Sequence, residues 1–198
     1  MHETLDLTRP LPVGSAARQS SGWWGMWGLI ATEAALFGYL LFSYGYLAMR
    51  SHGGWVPELP KFRIALPNTI LLLASSVVLY WAETGIRKGR KGRLVAGLAI
   101  TLAMGAVFVL AQLAEWKDKH MMPWDSAYAS SYFTITGFHM MHVVVGLIVL
   151  AALLLWSVLG KFGTQRHAAV SIGALYWHFV DVVWLAVFFA LYVTPHLG

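Results

Sequence analysis

Tyr176-Trp177-His178-Phe179-Val180-Asp181-Val182-Val183-Trp184 is an apolar, aromatic run that carries a histidine and an aspartate three residues apart. On a surface helix the two polar residues would need no comment. Inside a bilayer an unpartnered carboxylate costs about 3 kcal/mol or more. The rest of the chain decides between these settings. Of its 198 residues 58% are hydrophobic and 12% are charged, and the mean hydropathy is +0.62. A soluble domain carries about 25% charged residues. The apolar residues fall in long blocks between short polar segments, which predicts an all-α polytopic membrane protein.

Outward from the quoted run, the blocks cover about 171–194, 128–159, 94–115, 67–86 and 23–49. Each reaches the ~20 residues that cross ~30 Å of hydrocarbon. The expected organisation is an N-terminal tail over 1–21 and a bundle of five transmembrane helices over 22–198. Pro67 suits a helix start and Gly85 lies near the end of the same block. Five spans put the two ends of the bundle on opposite sides of the membrane. One side then holds Arg9, Arg18, Arg87, Lys88, Arg90, Lys91, Arg93, Lys161 and Arg166; the other holds Arg50, Lys61, Arg63, Lys117 and Lys119. This asymmetry predicts a cytoplasmic N-terminus and an outer C-terminus. The pI near 9.6 therefore reads as cationic loops at a membrane surface and not as a nucleic-acid interface.

There is no cysteine, which removes disulfides, thiolate metal sites, iron–sulfur clusters and thiol nucleophiles. No phosphate loop, Ser-His-Asp order or catalytic carboxylate pair is present. The chemistry left to consider is that of polar residues inside the spans. Glu33 lies about ten residues into its block, or ~15 Å deep. Met26, Phe37, Leu40 and Tyr44 share its face. An acid at that depth points to a proton-related or lipid-facing role, against the plainer reading of a carboxyl bonded to a neighbouring helix.

His139 and His142 form one stripe with Tyr128, Tyr132, Ile135 and Gly146. Histidines at i and i+3 suit a metal or haem, but no further ligand pattern supports one, and a polar packing seam is the simpler reading. Trp177, Asp181 and Trp184 share a face, with His178 at its edge. Counting 1.5 Å per residue, His142 and His178 lie ~9 Å above the cytoplasmic boundary, and His139, Asp181 and Glu33 lie near mid-depth. The expectation is one connected polar seam of His139, His142, His178 and Asp181, with Glu33 at the same level. Glu83 and Glu115, near span ends, are expected to reach the interface. Gln112, three residues before Glu115, would cap the helix or bind a partner. Gly22, Gly25, Gly28, Gly38 and Gly45 give the first span grooves for close helix contact.

The run at 176–184 resembles the signature of subunit III of haem-copper cytochrome oxidases. Thr136-Gly137-Phe138-His139 followed by His142-Val143 resembles that family's T-G-F-H-G-L-H-V, with Met140-Met141 in place of the small apolar pair. Leu66-Pro67-Asn68-Thr69 is similar to its P-x-x-N-T helix start, and Gln112-Leu113-Ala114-Glu115 to its Q-x-x-E helix end. Trp27 to Glu33 resembles the segment with the family's membrane-buried, carbodiimide-reactive glutamate. The resemblance covers roughly 23–196. It implies that Glu33 is the proton- or lipid-related buried carboxyl and that Trp177, Trp184, Asn68, Gln112 and Glu115 are motif residues that pack the bundle.

The same resemblance implies a function. The chain would be the five-helix bacterial form of subunit III, an accessory part of an aerobic terminal oxidase (cytochrome c oxidase) in the bacterial cytoplasmic (inner) membrane. In the seven-helix form, phospholipid fills a cleft made with two further helices, so individual lipid contacts do not carry over. The expected role is to stabilise subunit I, organise lipid and support proton uptake during oxygen reduction and proton translocation. Subunits I and II and membrane lipid are the implied partners. Haem and copper would sit in partner subunits, with structural phospholipid here, no metal, and no catalysis by this chain alone. A quinol oxidase, a nitric oxide reductase-associated relative and a respiratory supercomplex stay open. Two other classes stay open as well: a membrane cytochrome ligated by His139, His142 and His178, and a proton-coupled transporter using Glu33 and Asp181.

Overall fold

Backbone polar groups in hydrocarbon have no water to bond, so apolar blocks of this length must satisfy them internally as helices. The computed structural model describes residues 21–51, 54–57, 59–60, 62–164 and 166–197, and shows five such helices with no strand among the described residues. They are α1 (Ser21–Arg50), α2 (Phe62–Arg87), α3 (Lys91–Asp118), α4 (Ala127–Val158) and α5 (Ala168–Phe188). Beyond α5 the chain continues through a π-helical turn, Phe189–Val193, and a 3-10 turn, Thr194–His196. Each of the five is long and apolar enough to cross a membrane, and the chain is a multi-pass membrane protein. Of the tail expected over 1–21, residues 1–20 lie outside the described residues, as does Lys61, and Ser21 already opens α1.

The helix ends are encoded locally. Gly89 has φ of 75° and Gly160 has φ of 72°, the left-handed region that glycine enters without a Cβ penalty. Around each, the backbone closes the preceding helix with a 6→1 and a 5→2 bond: Arg90 N–H to Gly85 C=O and Gly89 N–H to Ile86 C=O after α2, Lys161 N–H to Trp156 C=O and Gly160 N–H to Ser157 C=O after α4. Ser126 caps the start of α4 by accepting from Ala129 N–H at 3.0 Å. One boundary differs from the expectation. α2 starts at Phe62, so Pro67 lies inside the helix and not at its first position. It sits in the second turn, where its missing N–H removes only the bond to the Arg63 carbonyl, and the helix carries on through it.

α2 packs on α3 and α5, α3 on α4, and α4 on α5, so these four close a ring, and α1 lies outside against α4 and α5. The ring is keyed by one side chain. Trp177 of α5 is fully buried and donates its indole N–H to Ser75 Oγ of α2 at 3.0 Å. A Cβ on Gly105 of α3 would stand 2.6 Å from Trp177 Cη2, and one on Gly146 of α4 would stand 2.9 Å from Cε3. Only glycine leaves room for the ring on both sides, so this indole touches the other three helices of the ring.

α1 is held differently. Its buried residues are Ile30, Phe37 and Tyr44, every seventh position, with Met26 and Leu40 packed beside them. The expected glycine grooves are absent from this contact: at Gly25, Gly28, Gly38 and Gly45 an added Cβ would meet nothing within 4 Å among the described residues. The helix turns its bulky stripe to the bundle, where apolar area is buried, and leaves these glycines on the open side.

Candidate functional site

Glu33 reaches the bundle from α1 on the same stripe as Phe37. Its Oε2 lies 3.0 Å from His142 Nε2 of α4, with the Glu33 side chain 25% exposed and the His142 side chain 9%. His142 Nδ1 lies 2.7 Å from the Phe138 carbonyl. A carbonyl only accepts, so Nδ1 carries a proton there. One further proton is left between Nε2 and Oε2. Whether it rests on the imidazole or on the carboxyl, the pair has the same proton count and no net charge, which is how a carboxyl survives at this depth. The edge of Phe37 covers His142, with ring centroids 5.1 Å apart.

Asp181 and His178 meet a residue that the sequence did not single out. Ser76 of α2 lies 2.8 Å from His178 Nδ1 and is bonded to Asp181 Oδ2. Its one hydroxyl hydrogen goes to the carboxylate, so His178 Nδ1–H donates to Ser76 Oγ. The order is therefore His, Ser, Asp. A nucleophilic triad needs the imidazole in the middle, so this is a hydrogen-bonded brace and not a catalytic triad.

The single polar seam expected from depth is thus divided. The structure joins Glu33 to His142 across α1 and α4, and His178 to Asp181 through α2. Among the described residues no hydrogen bond links His142 to His178. His139 belongs to neither pair. It is 1% exposed, bonds its Nε2 to the Val180 carbonyl at 3.2 Å and lies on Trp184, centroids 4.8 Å apart. Counting residues gives depth but not azimuth, and azimuth sends the two halves of the seam to different neighbours.

Trp177 and Trp184 repeat one device. Trp184 donates its indole N–H to Thr69 Oγ1 at 3.0 Å, as Trp177 does to Ser75. Each hydroxyl donates in turn to its own helix, Thr69 to the Ala65 carbonyl and Ser75 to that of Leu72. Lower down, Ser171 of α5 donates to Glu83 of α2 at 2.6 Å, and Arg87 binds the same oxygen at 2.6 Å. Along this face the α2 numbers rise as the α5 numbers fall, as antiparallel helices require. A small hydroxyl on an apolar helix usually bonds its own preceding turn, so it gives little signal in sequence. The Ser75-Ser76 pair, opposite a Trp-His-x-x-Asp face, is the signal that could have exposed it.

The two carboxylates near span ends, Glu83 and Glu115, are 8% and 7% exposed and are packed among the helices. Glu115 Oε1 accepts from Tyr192 at 2.6 Å and Tyr132 at 3.1 Å, and Lys119 Nζ stands 3.9 Å away. The hydroxyls of Tyr132 and Tyr192 lie 2.9 Å apart. Neighbouring helices supply partners here, so burial is tolerated. Gln112 is buried at 1% exposed and caps nothing. Asn68 donates to the Phe108 carbonyl at 3.3 Å, tying α2 to α3.

No group of three or more His, Asp or Glu side chains among the described residues is placed to hold a metal ion. His142 has both nitrogens engaged, and His139 turns its Nε2 to a backbone carbonyl between the Phe108 and Trp184 rings. What the arrangement does is hold helices together through polar contacts, with one proton shared at the α1–α4 contact.

A family model described as "Cytochrome c oxidase subunit III" matches residues 22–195. Among curated proteins, "Cytochrome c oxidase subunit 3" of Danio rerio is 38% identical over 144 residues, 71% of this chain and 55% of that protein. The protein of the same name from Scyliorhinus canicula is 37% identical over the same shares. That of Heterololigo bleekeri is 32% identical over 176 residues, 85% of this chain and 68% of that protein. The chain thus spans about half to two thirds of the length of these relatives. Because the match covers residues 22–195 and so takes in all five helices, the chain belongs to the cytochrome c oxidase subunit III family.

Proposed function

We propose that this chain works as the accessory subunit III of a haem-copper terminal oxidase, without a redox centre of its own. The observation that carries the reading is the family match over residues 22–195, which takes in every helix. The site chemistry agrees with it. The polar groups inside the spans brace one helix against another, and none is arranged to transfer electrons or attack a substrate. In this reading the bundle docks on subunit I in a complex that also holds subunit II. Haem and copper belong to those partners, and phospholipid packs against the open faces of α1. The membrane is the bacterial cytoplasmic membrane, with the α2–α3 and α4–α5 loops inside. Those loops carry Arg87, Lys88, Arg90, Lys91, Lys161 and Arg166, all exposed, which supports that orientation.

The contribution to turnover rests on Glu33. A carboxyl that shares one proton with His142 can pass it to the imidazole and take it back without leaving a net charge in hydrocarbon, and its partial exposure gives the pair a route to further proton donors. In cells lacking this chain, the remaining oxidase should keep its haem spectrum and initial oxygen consumption but inactivate after fewer turnovers. Restoring the chain should restore the lifetime. An oxidase whose rate and lifetime are the same with and without the chain would contradict the proposal. Soret absorption by the isolated chain would instead favour the cytochrome reading, and proton flux by the chain alone in liposomes the transporter reading.

A further inference from the structure

Gln112 of α3 is 1% exposed, and neither its amide nitrogen nor its amide oxygen meets a hydrogen-bond partner among the described residues. A buried amide without hydrogen bonds is costly. Two more groups share its condition. Asn68 Oδ1 and Glu115 Oε2 are buried and have no hydrogen-bond partner among the described residues, on residues 4% and 7% exposed.

Helix geometry brings the three groups to one stretch of α3 and its contact with α2. Asn68 Nδ2 is 3.3 Å from the carbonyl of Phe108, one turn before Gln112. Phe108, Gln112 and Glu115 all lie on the buried face of α3. Residues three and four apart on a helix are about 5–6 Å apart at Cβ. Helical side chains lean toward the N-terminus, which carries the Gln112 amide toward the Asn68 level and the Glu115 carboxylate toward Gln112. Closed layers flank the group. On the inner side Phe108 meets Trp184 edge-on, centroids 5.0 Å apart. On the outer side the Tyr132 and Tyr192 hydroxyls converge on Glu115 Oε1. Tyr192 lies in the π-helical turn, a distortion that recurs at functional positions. With Oε1 taken by two phenols, Oε2 is left for the group.

The chemistry of the set selects its ligand. It offers amide N–H donors on Gln112 and oxygen acceptors on Gln112, Asn68 and Glu115. Water both donates and accepts, and binds buried sites with two to four such partners. A bare cation is disfavoured by the Gln112 N–H groups and by the Lys119 ammonium 3.9 Å from Glu115. We propose that Asn68, Gln112 and Glu115 form a water-binding site in the outer half of the bundle, whose water joins α2 and α3 to the Tyr132–Glu115–Tyr192 cluster.

A structure of the purified assembly containing the full chain, at a resolution that shows ordered water, tests this directly. The expected result is a peak at hydrogen-bond distance from both the Gln112 amide and Glu115 Oε2. A Gln112 amide bonded only to protein groups, with no such peak, would overturn the proposal. So would a peak with only oxygen neighbours at about 2.3–2.6 Å, which marks a cation. The variant Gln112→Leu adds a second readout in the same assembly. Loss of the amide that holds the water should lower the melting temperature by about 3 °C or more. An unchanged or raised melting temperature would mean that the amide had no partner to lose, and would also overturn the site.

Discussion

Glu33 and His142 share a single proton, and that constrains what substitution does. In Glu33→Gln the amide keeps the shape and can donate to the unprotonated Nε2. Helix packing should change by less than about 1 kcal/mol. A loss of oxidase lifetime in this variant would therefore report proton chemistry, whereas unchanged rate, pumping and inactivation would reduce Glu33 to packing. Trp177→Phe is a different kind of change. It removes the indole N–H bonded to Ser75 Oγ and should cost about 1–2 kcal/mol, read as a lower melting temperature of the assembly. Gly146→Leu should cost more, because a Cβ already lies 2.9 Å from the Trp177 ring. The face of α1 that carries Glu33 was legible in sequence, since Phe37 and Tyr44 recur with helical period and both are buried. The partner was not. Residue counting places His142 and His178 at similar depth, and only packing decides that Glu33 meets the first while Ser76 meets the second.

At the scale of helices, composition and length were enough to define five spans, because hydrocarbon leaves the backbone no alternative. What composition could not give was burial at the span ends. Glu83 and Glu115 lie near span ends, and their partners Ser171, of α5, and Tyr192, of the π-helical turn beyond it, come from far along the chain. Polar side chains with partners from distant sequence carry no local signature. The α2–α5 face is the strongest brace, with Thr69, Ser75, Ser76 and Glu83 each engaged. Ser76→Val should leave both His178 and Asp181 without this partner, at a cost of about 2–3 kcal/mol for one half-buried and one buried group. Hydrogen exchange should then rise on α2 and α5 and stay unchanged on α1. α1 itself hangs on one stripe. Phe37→Ala should loosen it by about 3 kcal/mol and expose it to protease while the four-helix ring stays protected.

The whole molecule is a closed ring of four helices with a fifth laid on its side, and its polar interior is spent on cohesion. Its absence of cysteine makes introduced cysteine pairs clean reporters. A pair at positions 33 and 142 should cross-link in the folded assembly, and a pair at 142 and 178 should not. The central claim, however, is that this bundle serves a catalytic neighbour. The most direct measurement is affinity purification of the tagged full chain from its own membrane, with a visible spectrum and an oxygen electrode trace of the eluate. The account predicts co-elution of a haem-bearing subunit I, with reduced-haem bands and oxygen consumption in proportion to the chain. A chain that elutes fully folded, with no haem partner and no oxygen consumption, would contradict it.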